Sequence, residues 1–158
     1  MPLSTHTLRQ LSYAEGYLAL GLKAEAAEAL AEIVPSEREA TPVLALWLGV
    51  YCEREKWKPA SEVAEKLCER EPNVAGFWIQ WAYAKRRHAG IAQAREILLR
   101  GLGQHPREAV FHFNLACYEA QLGNLDDARA CLETACHLDA NFTELAKTDP
   151  DLEPLKAE

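Results

Sequence analysis

Counting through this chain in steps of 34 residues from Ala26 returns the same small side chain each time, at Ala60, Ala94 and Ala128. Other columns keep step with it. Tyr13, Trp47 and Trp81 share one, closed by Leu115; Ala14, Leu48, Ala82 and Ala116 form the next. Leu30, Ala64, Leu98 and Leu132 follow, then Ile33, Leu67, Gly101 and Ala135, and Pro72 and Pro106 stand in one column near the end of the unit. A chain so regular repeats one supersecondary unit. A unit that cannot bury its apolar face alone is stable only when stacked on its neighbours.

The residue types inside each unit favour helix, because Ala and Leu dominate and β-branched residues are few. In the last full unit, 109–121 and 125–138 read as two amphipathic helices joined by LGNLDD. Gly123 takes the left-handed conformation that ends the first helix, and Asp126 and Asp127 favour the dipole of the second. The prolines mark the exit from a unit, since they do not continue a helix. The alanine columns explain the pairing: two helices approach to about 8 Å only where the contacting side chains are small. The aromatic column then fills the space between hairpins. Units are expected over 7–40, 41–74, 75–108 and 109–140. They depart from the pattern at Pro35, which breaks unit one early, at Glu55 in place of the turn glycine, and at Gly90, one residue late. Residues 141–158 are expected to form a C-terminal capping helix around 142–148, with Leu145 as its apolar contact, and an acidic tail extended beyond Pro150.

On these columns, residues 7 to about 140 resemble the tetratricopeptide repeat (TPR) family, whose helix–turn–helix unit has this period. The resemblance implies an all-α fold, a right-handed α-solenoid of four hairpins with a capping helix, whose first helices line a concave groove. Carried over by position, the groove residues are Leu11 and Ala45, then Ile79, Tyr83, Arg86 and Arg87, then Val110, Phe113, Cys117 and Gln121. The resemblance implies a non-enzymatic adaptor or scaffold that holds a peptide or helix of a partner protein. Ile79, Tyr83 and Phe113 would be the apolar anchors, and Arg86 and Arg87 would orient an acidic group. Chaperone-docking members of the family carry a clamp of Lys, Asn and Lys/Arg. The matching positions here are Leu11, Glu15, Leu46, Gly76 and Gln80, so the clamp is absent and that co-chaperone reading is rejected. A small secretion chaperone of the TPR type and a homo-oligomer using the groove or the Trp47, Trp57 and Trp78 faces are the alternatives.

Charge and motif content narrow the function classes. A net charge of −7 is unsuited to a nucleic-acid binder, which needs a basic surface to displace counterions. Basic residues nevertheless gather at Lys85, Arg86, Arg87, Arg95, Arg100 and Arg107, with Glu96 the single acid in that span. The gathering reads either as a docking point for carboxylates or as solvated helix ends. The acidic stretch TDPDLEP, from Thr148, is one candidate occupant. No phosphate loop, nucleophile elbow or H-E-x-x-H is present, so no enzyme and no cofactor are expected. Cys131, Cys136 and His137 do not share a helix face as metal ligands would, and packed thiols are expected instead. Five cysteines with no C-x-x-C, no apolar run of about 20 residues and no basic, apolar leader at the N-terminus suggest a cytoplasmic chain without membrane spans.

Overall fold

The computed structural model describes residues 1–157 and divides into two compact units, Met1–Glu71 and Pro72–Glu158. No strand occurs among the described residues, and no helix is long and apolar enough to cross a membrane.

The N-terminal unit holds α1 (Thr5–Ala19), α2 (Lys23–Ala31), a 3-10 turn at Pro35–Glu37, α3 (Thr41–Glu53) and α4 (Trp57–Arg70). Helices α1 and α2 pair, as do α3 and α4, and α3 packs on α1 and α2. Ala14 and Ala26 are fully buried where α1 meets α2, and the Ala26 column stays alanine in all four units, whereas Leu48 fills the position equivalent to Ala14 in the second unit. Leu30, Ile33, Val43 and Val50 complete the core, with Leu11, Tyr17, Leu18 and Trp47 packed around it. Ser4 caps α1 by accepting the Thr7 amide at 3.2 Å. The backbone amide and hydroxyl of Ser4 each donate to Glu37 at 2.8 Å, and the buried Thr7 hydroxyl donates to the same carboxylate. The early break at Pro35 thus has a purpose: the 3-10 turn carries Glu37 back to the start of α1.

Three hairpins turn in one way. The amides of Leu22, Lys56 and Asn124 reach back to the carbonyls of Tyr17, Tyr51 and Glu119, at 2.8, 2.8 and 2.9 Å. The preceding residue in each case has positive φ: Gly21 at 75°, Glu55 at 55° and Gly123 at 84°. This is the Schellman closure, and Glu55 makes it without being glycine, at a backbone cost of about 1–2 kcal/mol. The third hairpin differs. The amides of Ala89 and Gly90 both bond to the Lys85 carbonyl, and Gly90 at φ 127° leads directly into the next helix. A glycine one residue late gives a different connection, not a broken one.

The C-terminal unit holds α5 (Ala75–His88), α6 (Ile91–Gln104), α7 (Ala109–Gln121), α8 (Leu125–Leu138), α9 (Asn141–Thr148), a 3-10 turn at Pro150–Leu152 and α10 (Glu153–Lys156). Gly101 sits on α6 against the Phe111 and Trp78 side chains. A Cβ there would stand 2.5 Å from the Phe111 ring and 3.0 Å from Trp78 Cβ. The Pro72 carbonyl accepts the Trp78 indole N–H at 3.0 Å and lies 3.0 Å from the His105 ring nitrogen, tying the start of the unit to the end of α6. On α7 the buried Glu119 takes Arg95 of α6 on one oxygen and the Asn124 amide at 2.6 Å on the other.

Beyond α8 the structure departs from expectation. Helix α9 contains no buried residue, and Leu145 is 53% exposed. Its apolar contact is Phe142, stacked on Phe113 with ring centroids 4.7 Å apart. Residues after Pro150 are not extended. They form the 3-10 turn and α10, which pack on α7, and α10 also reaches α8. Pro150 is the reason, because it starts the turn with φ already set and needs no amide partner at that position.

Candidate functional site

Helices α5 and α7 are the first helices of their hairpins, and their side chains meet the C-terminal segment on one face. The segment is shaped locally. Asp149 caps the 3-10 turn, its Oδ1 accepting the Asp151 amide at 2.9 Å, while the Leu152 amide bonds to the Asp149 carbonyl at 3.2 Å. The turn sends two consecutive side chains to different work. Asp151 points its carboxylate at α5, and Leu152 is buried to 1% exposure.

Arg86 receives Asp151 with both arms of its guanidinium, Nη1 to Oδ2 at 2.5 Å and Nη2 to Oδ1 at 2.8 Å. This bidentate geometry is the strong form of an Arg–carboxylate bond. The same guanidinium lies 5.3 Å from the centre of the Tyr118 ring, so α7 supports it from below. Gln121 adds a third donor, its Nε2 reaching the Asp151 carbonyl at 2.9 Å. At the far end, Lys156 bonds the Lys147 carbonyl at 2.6 Å and Glu153 at 2.8 Å.

Burial pushes the Cys117 thiol up to about 12, with the Asp149 and Asp151 carboxylates adding to the shift and Arg86 opposing it. Burial likewise raises the Tyr118 phenol to about 12, again against Arg86. A thiol in that state is a weak nucleophile at neutral pH. The sulfur of Cys117 and the carboxylates of Asp149 and Asp151 lie within 4.8 Å of one another, a spacing that a metal ion could use. The groups are otherwise committed: Asp151 to the Arg86 cation and Asp149 to the turn's own backbone. A guanidinium against the Asp151 oxygens repels a second cation, so the arrangement is a charge-paired turn.

The residues singled out from the sequence distribute as follows. Arg86, Cys117 and Gln121 converge on residues 149–152, and Phe113 is buried under Phe142. Tyr83 and Arg87 form a separate exposed pair on α5, with Arg87 Nη1 donating to the Tyr83 hydroxyl at 3.0 Å. Ile79 and Val110 are half-buried on α5 and α7. Leu11 and Ala45 lie in the other unit, where Leu11 packs against the core and Ala45 is half-buried on α3. The basic gathering is mostly spoken for: Arg95 by Glu119 and Glu96, and Arg100 by the faces of Trp78 and Trp81, 5.5 and 5.2 Å from the ring centres. Sequence reasoning did not single out Asp151, Leu152, Phe142 or Glu119. The first two carried a signal, an acid and a leucine behind a proline in an acidic tail. Glu119 had only its position in an otherwise apolar run.

Successive antiparallel helix pairs on a 34-residue period define a repeat protein of the α-solenoid class. No family model and no curated protein match the sequence. Solved structures do. MamA of AMB-1 is similar at a TM-score of 0.72 and 20% identity, over 82% of this chain and 76% of that one. A MamA RS-1 double mutant reaches 0.78 at 13% identity, over 87% and 78%. TTC0263, a thermophilic TPR protein in Thermus thermophilus, reaches 0.69 at 20% identity, over 96% and 87%. The fold of this chain is the tetratricopeptide-repeat fold.

Proposed function

We propose that this chain is a protein-interaction scaffold that holds a peptide or short helix of a partner protein on the α5/α7 face, with no catalytic step and no cofactor. One observation carries the reading. That face already holds a peptide segment, residues 149–152, by a buried leucine, a bidentate Arg–carboxylate bond and a side-chain bond to the main chain. These are the elements of peptide recognition, an apolar anchor flanked by orienting polar contacts. The exposed Tyr83 and Arg87 extend the same helix surface beyond the segment. Affinity for one short peptide would be on the order of micromolar, because ordering a flexible ligand offsets much of the contact energy.

Photo-crosslinking tests the reading. A photoreactive residue at Tyr83 is compared with one at Glu133, exposed on α8, the second helix of its hairpin. Crosslinks to another protein from position 83 and not from 133 support it. Equal patterns from both positions, none from either, or capture of a second copy alone from position 83 would overturn it.

A further inference from the structure

The contacts that hold the C-terminal segment would be met by any chain carrying the same two residues. Arg86 reads a carboxylate, Gln121 reads the carbonyl of that same residue, and the adjoining apolar site takes the leucine that follows. None of the three depends on how residues 149–152 are joined to the rest of the protein. The join itself is bare. Helix α9 buries no residue, its ion pair between Lys147 and Glu144 is internal to the helix, and Leu145 faces solvent. Hold on the hairpins comes from Phe142, Asp151 and Leu152 together with α10, which packs on α7 and α8, so the segment can lift while α5 to α8 stay paired. Lifting would leave the half-buried Arg86 without its carboxylate and would uncover Phe113 and Cys117, which gives the vacated face a strong preference for a new occupant.

Building on the scaffold reading above, we infer that the α5/α7 face is a receptor for partner segments that present an aspartate followed by leucine in a tight turn, and that residues 149–156 are its built-in competitor. A flexible tether gives a segment an effective concentration on the order of millimolar. Against an intrinsic peptide dissociation constant of roughly 10–100 μM, that tether keeps the closed form populated about 10- to 100-fold over the open one. A partner peptide is weakened by the same factor until the tail is removed from competition.

The test uses the full chain and a fluorescent peptide, Asp-Pro-Asp-Leu-Glu-Pro-Leu-Lys, followed by anisotropy. The peptide is expected to bind Asp151→Ala/Leu152→Ala at least tenfold more tightly than wild type. Adding Arg86→Ala to that variant should remove binding, as should replacing the peptide's second aspartate with asparagine. Saturating peptide should slow maleimide labelling of Cys117 in the tail variant. Equal binding to wild type and tail variant overturns the inference, as does absence of binding to a tail variant whose Cys117 labels rapidly. If the double substitution loses its cooperative melt, Asp151→Asn alone is held to the same outcomes. Position-83 crosslinks that persist while the peptide fails to bind overturn this inference alone; loss of both overturns the scaffold reading with it.

Discussion

The same repeat columns are treated differently in the two units, and the difference falls on the face proposed above as the binding site. On α3, Ala45, Gly49 and Cys52 are half-buried; two periods later on α7, Phe113, Cys117 and Ala120 are buried, although two of the three are larger. The periodic part of the fold does not account for this. A non-repeating element does, because Phe142 stacks on Phe113 and residues 149–156 lie over α7. The polar fastenings differ in the same sense. The N-terminal unit ties its loop down with Glu37 against Ser4 and Thr7, a connection that joins the turn after the first hairpin to that hairpin's own start. The C-terminal unit places Arg86 with Asp151 at the face itself. Repeats build the scaffold, and departures from the repeat equip it.

The comparison can be broken most severely at Phe111, which is fully buried in the C-terminal unit. Phe111→Ala is expected to cost about 3–5 kcal/mol, the range for a large core truncation. Hydrogen exchange should show the greater loss of protection in 72–157. Equal loss in both units would mean that they do not differ in the way described.

Leu152→Ala comes next, with an expected cost of about 2 kcal/mol in a denaturant melt, at the low end for buried leucine because the segment can lift away instead of leaving a cavity. The sharpening control is Leu145→Ala, which should stay within about 0.5 kcal/mol of wild type. If Leu145→Ala were the costlier of the two, α9 and not the 3-10 turn would be the cap. Gly101→Ala follows. Overpacking against Phe111 and Trp78 costs about 1–3 kcal/mol, and better helix propensity returns up to about 1 kcal/mol, so a net loss is expected. A thermal melt at or above that of wild type would show that the ring can move aside.

The smallest effect concerns pH and the N-terminal unit. Hydrogen bonds from Thr7 and Ser4 hold the Glu37 carboxyl below its ordinary value of 4.5. A depressed carboxyl contributes stability that is present above the unfolded value and lost as pH falls through the folded one. Wild type should therefore lose more stability than Glu37→Gln between pH 5 and the acid limb of the melt. Parallel acid curves would remove Glu37 from the account.

Much of this architecture was legible in the sequence because repetition supplies its own comparison. Ala14, Ala26, Ala60, Ala82, Ala94, Ala116 and Ala128 are all fully buried, as small residues at helix contacts must be. Gly123 takes the positive φ expected of it. Glu55 was not legible, since a left-handed glutamate is imposed by the hairpin it closes and not by its own preference. The tail was half legible. Its charge pointed to the basic residues of α5, yet nothing periodic distinguishes Phe142 from Leu145 as the apolar contact, because the segment has no second copy with which to align it. Cys117 was expected to line a groove; it is buried beside Asp149 and Asp151, and that burial depends on a covering element that its own helix does not encode.

The rate at which maleimide labels Cys117, followed by mass spectrometry from pH 7 to 9 in wild type and in Asp151→Ala/Leu152→Ala, tests the central claim most directly. In wild type the thiol is buried and held up to about 12, so labelling should be slow throughout that range and slower than at Cys131 or Cys136. With the tail disabled, burial and the nearby carboxylates fall away together, and the rate should rise at least tenfold and climb with pH. An unchanged rate in a folded tail variant would contradict the account, because the α5/α7 face would then be closed by something other than residues 149–156.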